Sequence, residues 1–236
     1  MNDHEKVVNK LFNRDFINKR RFLKSLRKSK GEKFYCMERL YGYFENVQDG
    51  GSQSNYLYKF GTKDTQSGIC FNLVLRWLQL YNLNHGGIAP NTIFREIMKQ
   101  PEEITKIAKA QSAYHKENGN NIILSYIGRY GLAGNLERED FFSPYDFEAV
   151  VRHCINNQWI QMLIIINFKN EESKHAIGVI IHNNRIYMYD PNVGVMSVDN
   201  IDPNRNELLS KLPVIYGEIF SAILDSGTIY KIVSEI

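Results

Sequence analysis

His175-Ala176-Ile177-Gly178-Val179-Ile180-Ile181-His182-Asn183-Asn184-Arg185-Ile186-Tyr187-Met188-Tyr189-Asp190 reads as one β-hairpin. Asn183-Asn184 makes a two-residue turn, and Arg185 to Asp190 returns antiparallel. With His182 and Arg185 flanking the turn, Asp190 falls opposite Ile177. Side chains alternate along a strand with period two, so Ile177 shares its face with His175. Asp190 and His175 are then diagonal neighbours within reach of a hydrogen bond. Asn192 is a rival for the same contact, because extending the register sets it directly across from His175. Pro191 weighs against it by ending the ladder and making Pro191-Asn192-Val193-Gly194 a turn.

Working outward, Trp159 to Phe168 is a long Ile-rich run, the pattern of a buried strand, and the polar segment 169–174 links it to the hairpin. Further strands are expected at 195–199 and 228–233, with a helix near 203–212 between them. Upstream the pattern is helical. Asn91 begins a helix towards Lys99, and Pro101 opens another to about Lys116, with Ile104, Ile107, Ala108 and Ala113 as its apolar face. Asn118-Gly119-Asn120-Asn121 breaks the chain, and Ser143-Pro144-Tyr145-Asp146 starts a helix that runs to Asn157. Helices first and consecutive antiparallel strands afterwards make an α+β domain.

The segment Ser67-Gly68-Ile69-Cys70-Phe71-Asn72-Leu73-Val74-Leu75-Arg76-Trp77-Leu78-Gln79-Leu80-Tyr81 places Leu73, Trp77 and Leu80 at helical spacing. Asn72, Arg76 and Gln79 fall between them as polar positions, and Ser67 is the expected N-cap. Cys70 is then in the first turn, where unpaired N–H groups and the helix dipole favour an anion, and a thiolate is the reactive form of cysteine. Taken singly, Cys70 has a plainer reading as a small buried hydrophobe, and His175 as a solvated residue at a strand start. Together, Cys70, His175 and Asp190 supply a nucleophile, a base and a carboxylate that orients the base.

Three motifs carry a resemblance. Gly68-x-Cys70-x-x-Leu73-x-x-x-Trp77, His175-Ala176-Ile177-Gly178 and Tyr189-Asp190-Pro191-Asn192-x-Gly194 resemble the YopT and AvrPphB group of bacterial effector cysteine peptidases. The resemblance implies a papain-like fold, with the nucleophile on an N-terminal helix packed against an antiparallel sheet. It implies Cys70 as nucleophile, His175 as base and Asp190 as orienter, with Asn192 as the alternative. The Cys70 backbone N–H would serve an oxyanion hole, and Gln66, four residues upstream, is a second donor at a shorter spacing than the papain pattern. It further implies a protein substrate in a eukaryotic host cell and no cofactor. Two other readings use the same residues: a glutamine deamidase or transglutaminase-type acyl transferase, and a papain-like interaction module without catalysis.

At 236 residues the chain holds one catalytic domain, expected over 56–236, preceded by a basic helical arm over 1–50. The stretch 48–55 is the loop between them, and Tyr56, Tyr58 and Phe60 alternate as a short strand would. Residues 1–30 carry ten Lys/Arg against three Asp/Glu, whereas the rest carries 19 against 23, so the net +3 describes neither part. Val8, Leu11, Phe12, Phe16, Phe22, Leu23 and Leu26 recur at helical spacing among these cations. An arm of this kind presents a solvated basic face, or binds an anionic membrane or an acidic protein surface through residues 6–30. Nucleic acid is not expected, because no reading motif accompanies the charge.

Cys36, Cys70 and Cys154 are an odd set without close spacing, which suits a reducing cytosol. His153 and Cys154, adjacent on a helix, point to different sides, so no metal site is expected. The first thirty residues contain no apolar h-region, so secretion without a Sec-type signal peptide, into the host cytosol, is the expectation.

Overall fold

The computed structural model describes residues 46–48, 69–98, 100–116, 122–133, 137–169, 174–191, 194–201, 209 and 223–234. Gln66, Ser67, Asn192, Cys36, the expected arm over 1–50 apart from 46–48, which are strand rather than helix, and the Tyr56-to-Phe60 segment lie outside these residues, as does all of the expected 203–212 helix except Leu209, which is helical.

Strand β1 is Asn46–Gln48. Four helices follow, α1 (Cys70–Leu83), α2 (Pro90–Met98), α3 (Pro101–Lys116) and α4 (Ile122–Arg129). Then come β2 (Leu132–Ala133), β3 (Arg138–Phe141) and α5 (Pro144–Asn156). The chain ends in β4 (Gln161–Phe168), β5 (Lys174–His182), β6 (Arg185–Asp190), β7 (Gly194–Asp199), β8 (Leu224–Lys231) and β9 (Val233–Ser234). Seven strands form one antiparallel sheet in the order β1-β7-β6-β5-β4-β8-β3, and β2 pairs with β9 in a small second one. The α+β architecture is the one the pattern of the chain predicts.

The hairpin register is also the predicted one, with His182 opposite Arg185 and Gly178 opposite Tyr189. Asn183 and Asn184 both have positive φ, 49° and 57°, as a tight turn requires. Strand alternation sends Ile177 and Val179 into the core under α5, with Phe147, Val151 and Cys154. Ala176 and Ile180 belong to the opposite core, with Leu73, Val74 and Trp77 of α1.

Gly178 lets α1 approach β5 closely. A Cβ there would stand 3.0 Å from Val74 Cγ1 and from two carbons of the Trp77 ring. Trp77 is fully buried, tilts against Tyr189 at 5.3 Å between centroids, and donates its indole N–H to the Pro90 carbonyl at 2.8 Å. One side chain thereby fixes α1 against both β6 and the start of α2.

Several local expectations are corrected. Ala113 is exposed, and Gln111 and Tyr114 turn inward on α3 in its place. Asn72, one of the polar positions between the apolar residues of α1, is fully buried. Strand β8 starts at Leu224 rather than at 228. Strand β3 carries Arg138, Glu139 and Asp140 at the edge of the sheet, where charge is the usual guard against edge pairing and hides the hydrophobic alternation. Helix α4 is a single short run of Ile, Leu and Tyr whose composition suits a strand equally well.

Candidate active site

Cys70 is the first residue of α1. Its N-cap is Ile69 (φ −127°, ψ 19°), which offers no side-chain cap, so the expected Ser67 cap is replaced by an apolar residue. Ile69, Leu73, Val74, Leu75, Trp77 and Leu78 are all fully buried. At about 1.5–3 kcal/mol for each fully buried aliphatic or aromatic side chain, that burial far outweighs a missing cap. Such a cap is worth about 1 kcal/mol, so packing rather than local sequence places this helix start. The Cys70 amide is one of the N–H groups at the helix start that no intrahelical carbonyl can reach.

His175 is the second residue of β5 and Asp190 the last of β6, so antiparallel pairing brings both to one end of the sheet. His175 Nε2 lies 3.2 Å from Asp190 Oδ1, with the histidine 6 % exposed and the aspartate fully buried. Gly194, opposite Asp190 at the start of β7, has φ 114°, a backbone that favours glycine, and it closes the β6–β7 connection that ends on Asp190.

Burial alone would hold the His175 ring neutral. The charge and hydrogen bond of Asp190, joined by a hydrogen bond and charge from Cys70, overcome it and push the ring up to about 10. Both neighbours thus favour the protonated ring, and an imidazolium is the counter-charge a thiolate needs. The structure thus brings Cys70, His175 and Asp190 together. Gln66 and Asn192 lie outside the described residues.

Around Cys70 stand residues that sequence reasoning missed. Tyr114 of α3 stacks on Phe71 at 4.6 Å between centroids. Burial raises its hydroxyl, and the charge of Cys70 adds to the effect. Gln111, one turn earlier, accepts from Asn72, whose side-chain oxygen in turn accepts from the Tyr130 hydroxyl at 3.0 Å. A detectable signal existed: Gln111 is four residues past Ile107 and seven past Ile104, so it interrupts an apolar stripe.

The crystal structure of the Pseudomonas avirulence protein AvrPphB is similar to this chain, with a TM-score of 0.56 and 13% identity, over 75% of this chain and 99% of that one. The fold is papain-like. No protein-family model and no curated protein matches the sequence. In this fold the helix that begins at Cys70 lies against the sheet that carries His175 and Asp190.

The other described cysteine has a different environment. Cys154 is fully buried in α5, and burial, followed by the charge of Glu139, pushes its thiol up to about 12. Among the described residues no group of three or more His, Cys, Asp or Glu is placed to hold a metal ion. Among them, too, no helix is long and apolar enough to cross a membrane.

Proposed function

We propose that this chain is a cysteine endopeptidase acting by a thioester, and that it cleaves a particular host protein as a bacterial effector. The observation that carries the reading is that Asp190 and Cys70 both act on one histidine ring, Asp190 by a contact of 3.2 Å to Nε2 and Cys70 by a side-chain hydrogen bond and its charge. The thiolate of Cys70 attacks the substrate carbonyl carbon, and the tetrahedral oxyanion takes the N–H groups at the start of α1, the Cys70 amide first among them. The intermediate collapses with expulsion of the amine, which takes the His175 proton as it leaves. The now neutral ring removes a proton from water, the hydroxide adds to the thioester and expels the Cys70 thiolate, and the carboxylic product departs, leaving the thiolate and protonated ring of the starting state. Asp190 holds the ring in the required orientation and stabilises its cationic form.

The chemistry would be located by delivery into a host cytosol. The basic arm would hold the enzyme at an acidic protein or an anionic inner leaflet through residues 6–30.

The test incubates the wild-type chain, Cys70→Ser and His175→Ala with a eukaryotic cell lysate and sequences all new protein termini. New termini that need both Cys70 and His175 are the expected result. A change of mass in intact proteins without scission would instead make the chain an acyl transferase or deamidase. An identical lysate in all three arms would overturn the enzymatic reading.

A further inference from the structure

The N-cap residue of α1, Ile69, makes no side-chain cap, and among the described residues a buried acceptor for the first turn comes from another helix. The Oε1 atom of Gln111 accepts the Asn72 backbone N–H at 3.1 Å and the Asn72 side-chain N–H at 2.9 Å. Gln111 is 2% exposed and Asn72 fully buried, so water is excluded as a substitute acceptor. The Tyr130 hydroxyl completes the set by donating to Asn72 Oδ1. Helix α3 is held in register by two more contacts to α1, the Arg76–Glu103 ion pair at 2.6 Å and the Phe71–Tyr114 stack. Pairing 72 with 111 and 76 with 103 makes the two helices antiparallel.

Gln111 thus satisfies the third N–H of the helix, that of Asn72, and leaves those of Cys70 and Phe71 nearer the thiol. A helix end with no cap frays, and fraying here would displace the residue at the very end of the helix, Cys70. The acceptor is also a neutral amide. A carboxylate would cap at least as well, but it would set a negative charge two residues from the place where a thiolate must form.

We propose that Gln111 is a positioning residue for the nucleophile: through Asn72 it locks the first turn of α1 and holds the Cys70 thiol against His175. This rests on the reading of Cys70 as a nucleophile paired with His175. The two can fail separately.

The measurement is the rate at which iodoacetamide alkylates Cys70 in the full chain, followed by peptide mass, alongside the melting temperature. Wild type and His175→Ala come first. A slower reaction at about pH 6 in His175→Ala supports the pairing, and equal rates in both would overturn that reading and this proposal with it. Gln111→Met, similar in shape but without the acceptor, is then expected to slow Cys70 alkylation by about 10-fold or more in folded protein, as misplacement of a reacting group does. Gln111→Glu keeps an acceptor for both N–H groups and is expected to recover at least about half of the wild-type rate at about pH 9. If Gln111→Met does not fold, Gln111→Asn, one methylene too short to reach Asn72, carries the same comparison. With His175 dependence established, a wild-type alkylation rate in folded Gln111→Met or Gln111→Asn would overturn the proposal. A purely structural role would lower only the melting temperature.

Discussion

Helices α1 and α5 start in opposite ways. At α5, Ser143 accepts the Asp146 N–H at 3.2 Å, its hydroxyl donates to Asp146 Oδ2 at 2.8 Å, and Pro144 occupies the first turn. Every one of those groups is within four residues of sequence. At α1 the cap position is Ile69, and the buried acceptor for Asn72 arrives from Gln111, 39 residues away. A locally capped helix has its N-terminal groups occupied by its own side chains. The helix that starts at Cys70 has no side-chain cap from Ile69 and, among the described residues, takes its buried acceptor from another helix, an arrangement that would suit a reacting thiol at a helix end.

The largest effect that sharpens this contrast is expected at Asp190. Asp190→Asn leaves shape nearly unchanged but removes the charge that keeps His175 protonated. Activity should fall by between about 10²- and 10⁴-fold, the scale seen when a buried orienting carboxylate is neutralised. Measured cleavage within a few-fold of wild type would assign the orienting role elsewhere, with Asn192 the first alternative to examine.

Next in size is Gly178. Gly178→Val inserts a branched side chain where even a Cβ meets Trp77 and Val74 at 3.0 Å. Overpacking of this kind costs about 1–3 kcal/mol, and here the strain falls on the one helix whose position sets the thiol. Unfolding in urea would show the lost stability, and Cys70 alkylation in the folded fraction should slow as well. Gly178→Ala should give a smaller change in the same direction, because Trp77 can yield by a few tenths of an ångström. An unchanged alkylation rate in Gly178→Val would mean that the helix start is set independently of its packing on β5.

How much of this was readable beforehand follows the same division. The hairpin from His175 to Asp190 was legible down to its register, because the Asn183-Asn184 turn fixes pairing locally and the period of two does the rest. Helix α5 was legible for the same reason, with its cap, proline and carboxylate in consecutive positions. The start of α1 was readable only in part: apolar spacing put Cys70 in the first turn, while its true cap was invisible. No rule linking neighbours in sequence points from Asn72 to Gln111 or from Phe71 to Tyr114. The charged edge strand β3 was missed because its neighbours, not its own side chains, decide that it is a strand.

Stability against pH gives a smaller test of the buried pair. The His175 ring is raised from 6.5 to about 10 in the folded protein, so the native state holds that proton more tightly than the unfolded chain does. The stabilisation is complete below the unfolded value of 6.5 and is lost as pH rises through about 10. Urea midpoints of wild type and His175→Gln should therefore converge between about pH 7 and about pH 10. A constant gap across that range would mean that His175 does not carry its proton in the folded state.

The smallest effect lies at the other helix. Ser143→Ala removes the local cap of α5 and should cost about 1 kcal/mol. In a domain of this size that lowers the melting temperature by about 2–4 °C. Helix α5 packs through Phe147, Val151, Cys154 and Ile155 on the core beneath one face of the sheet, whereas α1 belongs to the core on the other. The rate of Cys70 alkylation in folded Ser143→Ala should therefore equal that of wild type. Were that rate to fall, the start of α5 would be coupled through the sheet to the start of α1. The two helix ends would then be parts of one mechanical unit, and their opposite capping could no longer be attributed to their separate duties.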